Sequence, residues 1–477
     1  MVIKLSRPDR YSLLTLTGLS LLLWWPTRTL PYHWDSAAYV INAAQALSLK
    51  PWPIISQFTE FAHPPLIPFL VTLSWSIFGQ NRLAAHLTVV PFLILLLGST
   101  YYLGKKLSSP LTGLTAALLT ASFPFLVAEV GMIYLDLPLA ALSLAGLTAW
   151  FYQRPVVAAA FLSLAMLTKM TILPLILVLT VFTLLDQKQR CHWRWYLPLV
   201  LPLLCAGFYL NYHHYFTGWW LTLPGRETVY PKNLSQLITS LSFVFSVFFL
   251  RQHRFLLTFI GLAGVLKLVS LKKPTLTNSP FILLITLLVV GLGTFTLTGE
   301  FIPRYALSLV PLFTIITCHL LWRVWPSSVA TLIFSLIFIS FILAWHPPPP
   351  PSEVFAFRLN EDLSYQDHIQ VGLTAAQYLE SHYPQSLILG GFPQSYQLTQ
   401  PLHSYVNQPL NFQDCQTISD LASVIRHPSP VILYIHPYHY SQIRCQEILQ
   451  PLPHTLLETF QHNGIWAKLY LIDPNAK

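Results

Sequence analysis

Between Leu107 and Ser352 the chain returns repeatedly to runs without a single charge: Leu107 to Ala128, Leu137 to Gln153, Met170 to Leu185, Pro274 to Gly299, Tyr305 to Trp322 and Val324 to Ser352. Each is close to the roughly 20 residues a helix needs to cross a bilayer. Only 9% of the residues are charged and 54% are hydrophobic, whereas a soluble domain is about a quarter charged. The implied solvent is lipid. The first apolar run, Tyr11 to Trp25, follows Lys4, Arg7 and Arg10, and no small-x-small cleavage site comes before Pro26. It reads as an uncleaved signal anchor with a cytoplasmic N-terminus.

About eleven spans are expected, near residues 11–26, 86–103, 110–128, 136–152, 156–168, 171–185, 195–211, 254–270, 280–298, 305–323 and 328–345. Two shorter apolar helices, near 65–79 and 235–250, are read as lying in the outer interface. This drawing puts Lys4, Arg7, Arg10, Lys105, Lys106, Arg154, Lys188, Arg190, Arg194, Lys267, Lys272, Lys273 and Arg323 on the cytoplasmic side, against only Asp9 and Asp186. Positive residues collect inside, as they should. The bias is weakest at Arg251 and Arg254, which fall outside.

The expected organisation is a membrane domain over 1–345, with a first outer loop at 27–85, a stiff proline connector at 346–352, and an outer domain over 353–477. In the outer domain, 386–391 and 431–436 read as buried strands and 369–382 and 441–449 as helices. Residues 456–472 read as a hairpin turning at Asn463-Gly464. The fold class is thus an α-helical polytopic membrane protein with a small C-terminal α/β domain outside the cytoplasm. Cys415 and Cys445 can pair if that domain faces an oxidising compartment, and two free thiols fit the sequence equally well. The formal charge of +9 forms no basic stripe, so membrane lipids and phosphate are expected partners and nucleic acid is not.

The same drawing brings several polar sites to one face. They are Asp35 in His-Trp-Asp-Ser, the Glu60-Phe-Ala-His63-Pro-Pro segment, Asp136 in Tyr-Leu-Asp-Leu-Pro, Lys169 in Leu-Thr-Lys-Met and Arg304 in Ile-Pro-Arg-Tyr. A carboxylate at the membrane edge is costly unless it is solvated, paired or used. Taken alone, Asp136 reads as a helix cap, and Lys169 and Arg304 as side chains snorkelling to the headgroups. His63 alone reads as a turn residue. Together over an outer pocket, the cations favour phosphate binding.

These residues resemble the GT-C membrane glycosyltransferases, in particular the protein O-mannosyltransferase and aminoarabinose-transferase branch. The carriers are Asp35 with Tyr39, His63-Pro64-Pro65-Leu66, Asp136-Leu-Pro, Thr168-Lys169, and Arg304-Tyr305 ahead of Pro311, and the resemblance covers Tyr11 to about Trp345. It implies inverting transfer of a sugar from a polyprenyl-phosphate donor to a lipid, glycan or protein acceptor, without a nucleotide. Asp35 and Asp136 are then the catalytic acids, Asp35 being nearest the acceptor as general base. His63, Lys169 and Arg304 are expected to hold the donor phosphate, supported by Tyr39, Glu60, His86 and Tyr305. The chain departs from the family at Ser36, where an acid often follows the aspartate, and at His86, where many members have arginine. No cofactor is implied with certainty; a divalent metal fits the family, and no metal ligands are assigned. The common setting of this branch makes the bacterial inner membrane the expected location. A transporter or flippase, an outer-face binding or assembly protein, and an oligosaccharide ligase using a diphosphate donor are the competing readings.

Overall fold

The computed structural model describes residues 6–50, 62–186, 189, 191–224, 230–270, 279–298, 301–347, 361–418, 427, 429–436, 444–447, 450 and 452–472. Glu60, most of the proline connector and most of the helix expected at 441–449 lie outside them. The chain divides into two compact units. A helical unit comprises Met1–Arg28 with Ala43–Trp345, and a second unit, called the outer unit after its expected placement, comprises Thr29–Asn42 with His346–Lys477. The outer unit therefore contains not only the C-terminal segment but also the stretch that carries Asp35.

The helical unit contains α1 (Arg7–Trp24), most of α2 (Asn42–Leu49), α3 (Leu66–Phe78), α4 (Arg82–Leu87), α5 (Val89–Leu107), α6 (Pro110–Ser122), α7 (Pro124–Val130) and α8 (Asp136–Phe151). It continues with α9 (Pro155–Met166), α10 (Leu173–Leu185), α11 (Leu197–Thr217), α12 (Leu234–Phe245), α13 (Arg254–Ser270), α14 (Ser279–Thr298), α15 (Val310–Val324) and α16 (Ser327–Leu343). Each expected span falls on helix. Among the described residues, Arg82–Leu107, Trp193–Thr217, Pro280–Thr298 and Pro303–Val324 are each long and apolar enough to cross a membrane alone, and α3, α8, α9, α16 and Met170–Leu185 are shorter apolar helices.

Local sequence sets the breaks. Ser6 and Asp9 form a reciprocal capping box on α1, and Asn81, Ser109 and Asn233 cap α4, α6 and α12 through their side chains. The expected span at 110–128 is bent by 63° between α6 and α7. The cause is Pro124, which disfavours helical backbone at Phe123 and supplies no N–H; Phe123 is extended there. Residues Leu234–Leu250 meet α13 at 89°. At that corner Arg254 is fully buried with its guanidinium 4.2 Å from the centroid of Phe125, so it is an interior cation rather than a loop charge.

The core runs along α5, which packs on α6 and α8, while α8 packs on α9 and α9 on α11; α15 packs on both α6 and α13. Nearly every residue of α8 is buried, as befits a helix apolar on all sides. Gly104 and Gly113 let α5 and α6 touch along their backbones, since a Cβ added at Gly104 would fall 2.7 Å from the Gly113 Cα.

The outer unit holds a five-stranded sheet: β1 (Leu387–Gly390), β2 (Phe412–Asp414), β3 (Val431–Ile435), β4 (His454–His462) and β5 (Ile465–Ile472), in the order β2-β1-β3-β5-β4. β1 pairs in parallel with β2 and β3, and β5 runs antiparallel to β3 and β4. β1 and β3 are buried throughout, as their unbroken apolar runs require. The β4–β5 turn falls at Asn463-Gly464, both at positive φ. Helices α17 (Tyr365–His382) and α18 (Gln394–Thr399) complete the unit, with α17 against β4 and β5. Cys415 and Cys445 form a disulfide inside an apolar cluster with Leu433, Ile435 and Leu389.

Candidate active site

α8 opens at Asp136, two residues before Pro138, where a carboxylate also suits the positive end of the helix. Asp136 is the first helical residue, with Leu135 at the N-cap, so it does not stand at the capping position. Instead Oδ1 accepts a hydrogen bond from Lys169 Nζ at 2.8 Å, and Oδ2 lies 3.2 Å from Arg304 Nε. Lys169 is an extended residue between the end of α9 and a short 3-10 turn over Met170–Ile172. Arg304 sits in a second 3-10 segment, Pro303–Leu309, that leads into α15. Three charged residues distant in sequence are thus delivered by three helix junctions, where backbone irregularity turns their side chains inward.

All three are buried, Asp136 to 4%, Lys169 to 6% and Arg304 to 3% exposure, which rules out snorkelling. Aromatic rings complete the cluster. Lys169 Nζ stands 3.8 Å from the ring centroid of Tyr305, and the Arg304 guanidinium 4.2 Å from that of Tyr134. Cations over ring faces are stabilised most when desolvated, as here. Tyr134 escaped the sequence reading, although its place two residues before Asp136 in Tyr-Leu-Asp was the signal.

His63 lies within electrostatic reach of Asp136. Its segment is braced from two sides: Tyr209 of α11 donates its hydroxyl to the His63 carbonyl at 2.7 Å, and the Ala62 N–H donates to the Leu221 carbonyl at 2.9 Å. His63, Lys169 and Tyr305 line a cavity of about 440 Å³ whose remaining wall is largely apolar, with Leu139, Leu287 and Leu312 among it. The cavity therefore joins the Lys169 ammonium to a largely hydrocarbon lining. His86 is buried at the end of α4, where the Trp24 indole N–H donates to its carbonyl at 3.0 Å.

Asp35 and Tyr39 belong to the outer unit. Asp35 is half-buried and directly precedes a π-helical stretch, Ser36–Ile41, which includes the buried Tyr39. Among the described residues, no group of three or more His, Cys, Asp or Glu side chains could hold a metal ion.

A family model described as dolichyl-phosphate-mannose-protein mannosyltransferase matches residues 62–210, a stretch that includes His63, His86, Asp136 and Lys169. Among solved structures, ArnT from Cupriavidus metallidurans, determined both in the apo state and bound to undecaprenyl phosphate, is similar at a TM-score of 0.61 and 12% identity, covering 96% of this chain and 97% of that one. The oligosaccharyltransferase of Archaeoglobus fulgidus, in complex with Zn and sulfate, is similar at a TM-score of 0.51 and 12% identity over 83% of this chain and 61% of that one. The mycobacterial arabinofuranosyltransferase AftD is similar at 0.50 and 12%, over 98% and 40%. No curated protein matches the sequence.

A polytopic bundle with charged helix junctions and a small C-terminal sheet domain is thus the GT-C fold of membrane glycosyltransferases. Its stretch 62–210 is similar to the dolichyl-phosphate-mannose-protein mannosyltransferases, and its fold is similar to that of ArnT.

Proposed function

We propose that this protein transfers a sugar from a polyprenyl-phosphate donor to an acceptor on the outer face of the membrane, with inversion. The observation that carries this reading is the cavity lined by His63, Lys169 and Tyr305 together with leucines. A lipid phosphate has the same division, a dianionic head on an isoprenoid tail, and the similar ArnT was determined with undecaprenyl phosphate bound. The Cys415–Cys445 disulfide supports an outer unit facing an oxidising space, such as that beyond a bacterial inner membrane.

In the proposed step, the Asp35 carboxylate takes a proton from the acceptor hydroxyl or amine. The acceptor then forms a bond to the anomeric carbon as the bond from that carbon to the phosphate oxygen breaks. The electron pair leaves on the phosphate, and the products are glycosylated acceptor and polyprenyl phosphate. General-base help of this kind is worth on the order of 10²- to 10⁴-fold. Lys169 and Arg304 stabilise the growing phosphate charge, the arginine with its planar fork and the lysine as a point charge, and His63 supplies a third donor. Asp136 serves by holding the two cations, and Tyr305 and Tyr134 by flooring them.

The test is transfer by the purified protein in detergent from a polyprenyl-phosphate sugar, where a transporter, lacking a second compartment, forms no glycosyl product. Asp35→Asn is expected to abolish transfer in a folded protein. Turnover near wild type in that variant removes Asp35 as base.

A further inference from the structure

The residue before Asp35 is held in an unusual conformation. Trp34 has φ +50°, in the left-handed region that a bulky side chain rarely occupies unless its surroundings enforce it. Immediately after Asp35 the backbone winds as a π-helix over Ser36–Ile41, a form that occurs mostly as short insertions. The half-exposed carboxylate thus lies between two irregular pieces of backbone, and both belong to the outer unit.

The enforcing contacts come from the C-terminal segment of that unit. The Trp34 ring meets Phe392 edge-on, centroids 4.7 Å apart at 84°, and Phe392 in turn meets Tyr396 at 6.0 Å and 82°. His33 is buried with its Nδ1 3.4 Å from the Tyr405 hydroxyl, and Tyr32 packs edge-on to His403. Helix α18, which carries Tyr396, touches the π-helical turn. The Tyr396 hydroxyl is raised above its ordinary pKa by burial and, second, by the negative charge of Asp35.

We propose that Phe392 and Tyr396 are positioning residues for Asp35. By locking Trp34 in its left-handed conformation and supporting the turn that follows, they fix where the carboxylate points, so the C-terminal segment is part of the catalytic apparatus rather than an appendage. The inference rests on the reading of Asp35 as the base.

The experiment measures kcat and donor KM separately for the full-length protein in detergent, using a polyprenyl-phosphate sugar and an excess of acceptor. Phe392→Ala is expected to lower kcat roughly 10- to 100-fold, the cost of a misplacement of about 1 Å, with donor KM within about twofold and Phe392→Tyr restoring the rate. Tyr396→Phe removes one hydroxyl and keeps the ring, so it tests the same point without risk to folding; a several-fold loss of kcat with donor KM unchanged is expected. An unchanged melting transition and an intact Cys415–Cys445 bond establish that each variant is folded. If Asp35→Asn abolishes transfer but Phe392→Ala and Tyr396→Phe keep wild-type kcat, the positioning role is overturned and the base stands. A donor KM rising in step with the loss of kcat also overturns it, because that marks general damage. Normal turnover in Asp35→Asn removes the underlying reading instead.

Discussion

A cluster of buried ionisable groups in each unit is handled in the opposite way. In the helical unit, Asp136 is paired with Lys169 and Arg304, and Asp9 with Lys105. In the outer unit, burial keeps a set of histidines neutral. It pushes His33 and His436 down to about 3 and His403 to about 4, and holds His368 well below its ordinary value. The outer unit should therefore be the acid-sensitive part of the molecule.

The largest expected effect follows from that contrast. An unfolded histidine takes its proton near pH 6.5, whereas these buried rings stay neutral until about pH 3 to 4. Above pH 6.5 neither state is protonated and stability is at its full value. As pH falls below 6.5 only the unfolded state gains protons, so stability drops, and for His33, His436 and His403 the loss saturates near pH 3 to 4. Between pH 7 and 5 this amounts to on the order of 2 kcal/mol for each such histidine. Hydrogen exchange measured at the two pH values should show β1, β3 and α17 losing protection while α5 and α8 keep theirs. Equal loss in both units would break the comparison.

Next in size is Asp136→Asn. Removing one partner of a buried ion pair costs about 3–5 kcal/mol because the remaining charge is stranded, and here two cations are left. The melting transition in detergent should fall, and a lipid phosphate co-purified with the protein should be lost, which mass spectrometry would detect. Retention of both would mean that Lys169 and Arg304 have other sufficient partners.

Cys415→Ser probes the outer unit without touching a charge. The disulfide closes a loop with a sequence separation of 30, and a loop of that length is worth about 3 to 4 kcal/mol in the chain-entropy treatment. Protease susceptibility is expected to rise within 361–472 and to stay unchanged in the helical unit. Spreading of the effect to α5 and α8 would show that the two units do not unfold separately.

Much of the helical unit is legible in the sequence because lipid imposes one strong rule, long uncharged runs, and those runs land on helices. The break at Phe123 was present as Phe-Pro but was hidden by apolar residues on both sides. β1 and β3 were legible as unbroken apolar runs, whereas the three half-buried residues of β2 carry no pattern of their own. The site was legible as residue types and not as pairings. Asp136 looked like a cap, and only the meeting of three helix junctions shows its carboxylate bound to cations. The membership of residues 29–42 in the outer unit had no local signal, because it depends on aromatic contacts with Phe392, His403 and Tyr405 far along the chain.

The smallest expected effect distinguishes two carboxylates that look alike as ion pairs. Asp9 is filled by short-range donors: the Ser6 hydroxyl at 2.6 Å, the Ser6 N–H at 3.1 Å, the Tyr101 hydroxyl at 2.7 Å and Lys105. Lys105 is 29% exposed and can turn to water if its partner goes. Asp9→Asn should therefore cost only about 1 kcal/mol, the scale of an ordinary hydrogen bond, and leave donor binding untouched. Asp136 lies beside a cavity and its cations are buried over tyrosine rings, so the same substitution there acts on ligand and fold together. A melting shift for Asp9→Asn as large as that for Asp136→Asn would show that burial alone, and not the company each carboxylate keeps, sets the cost.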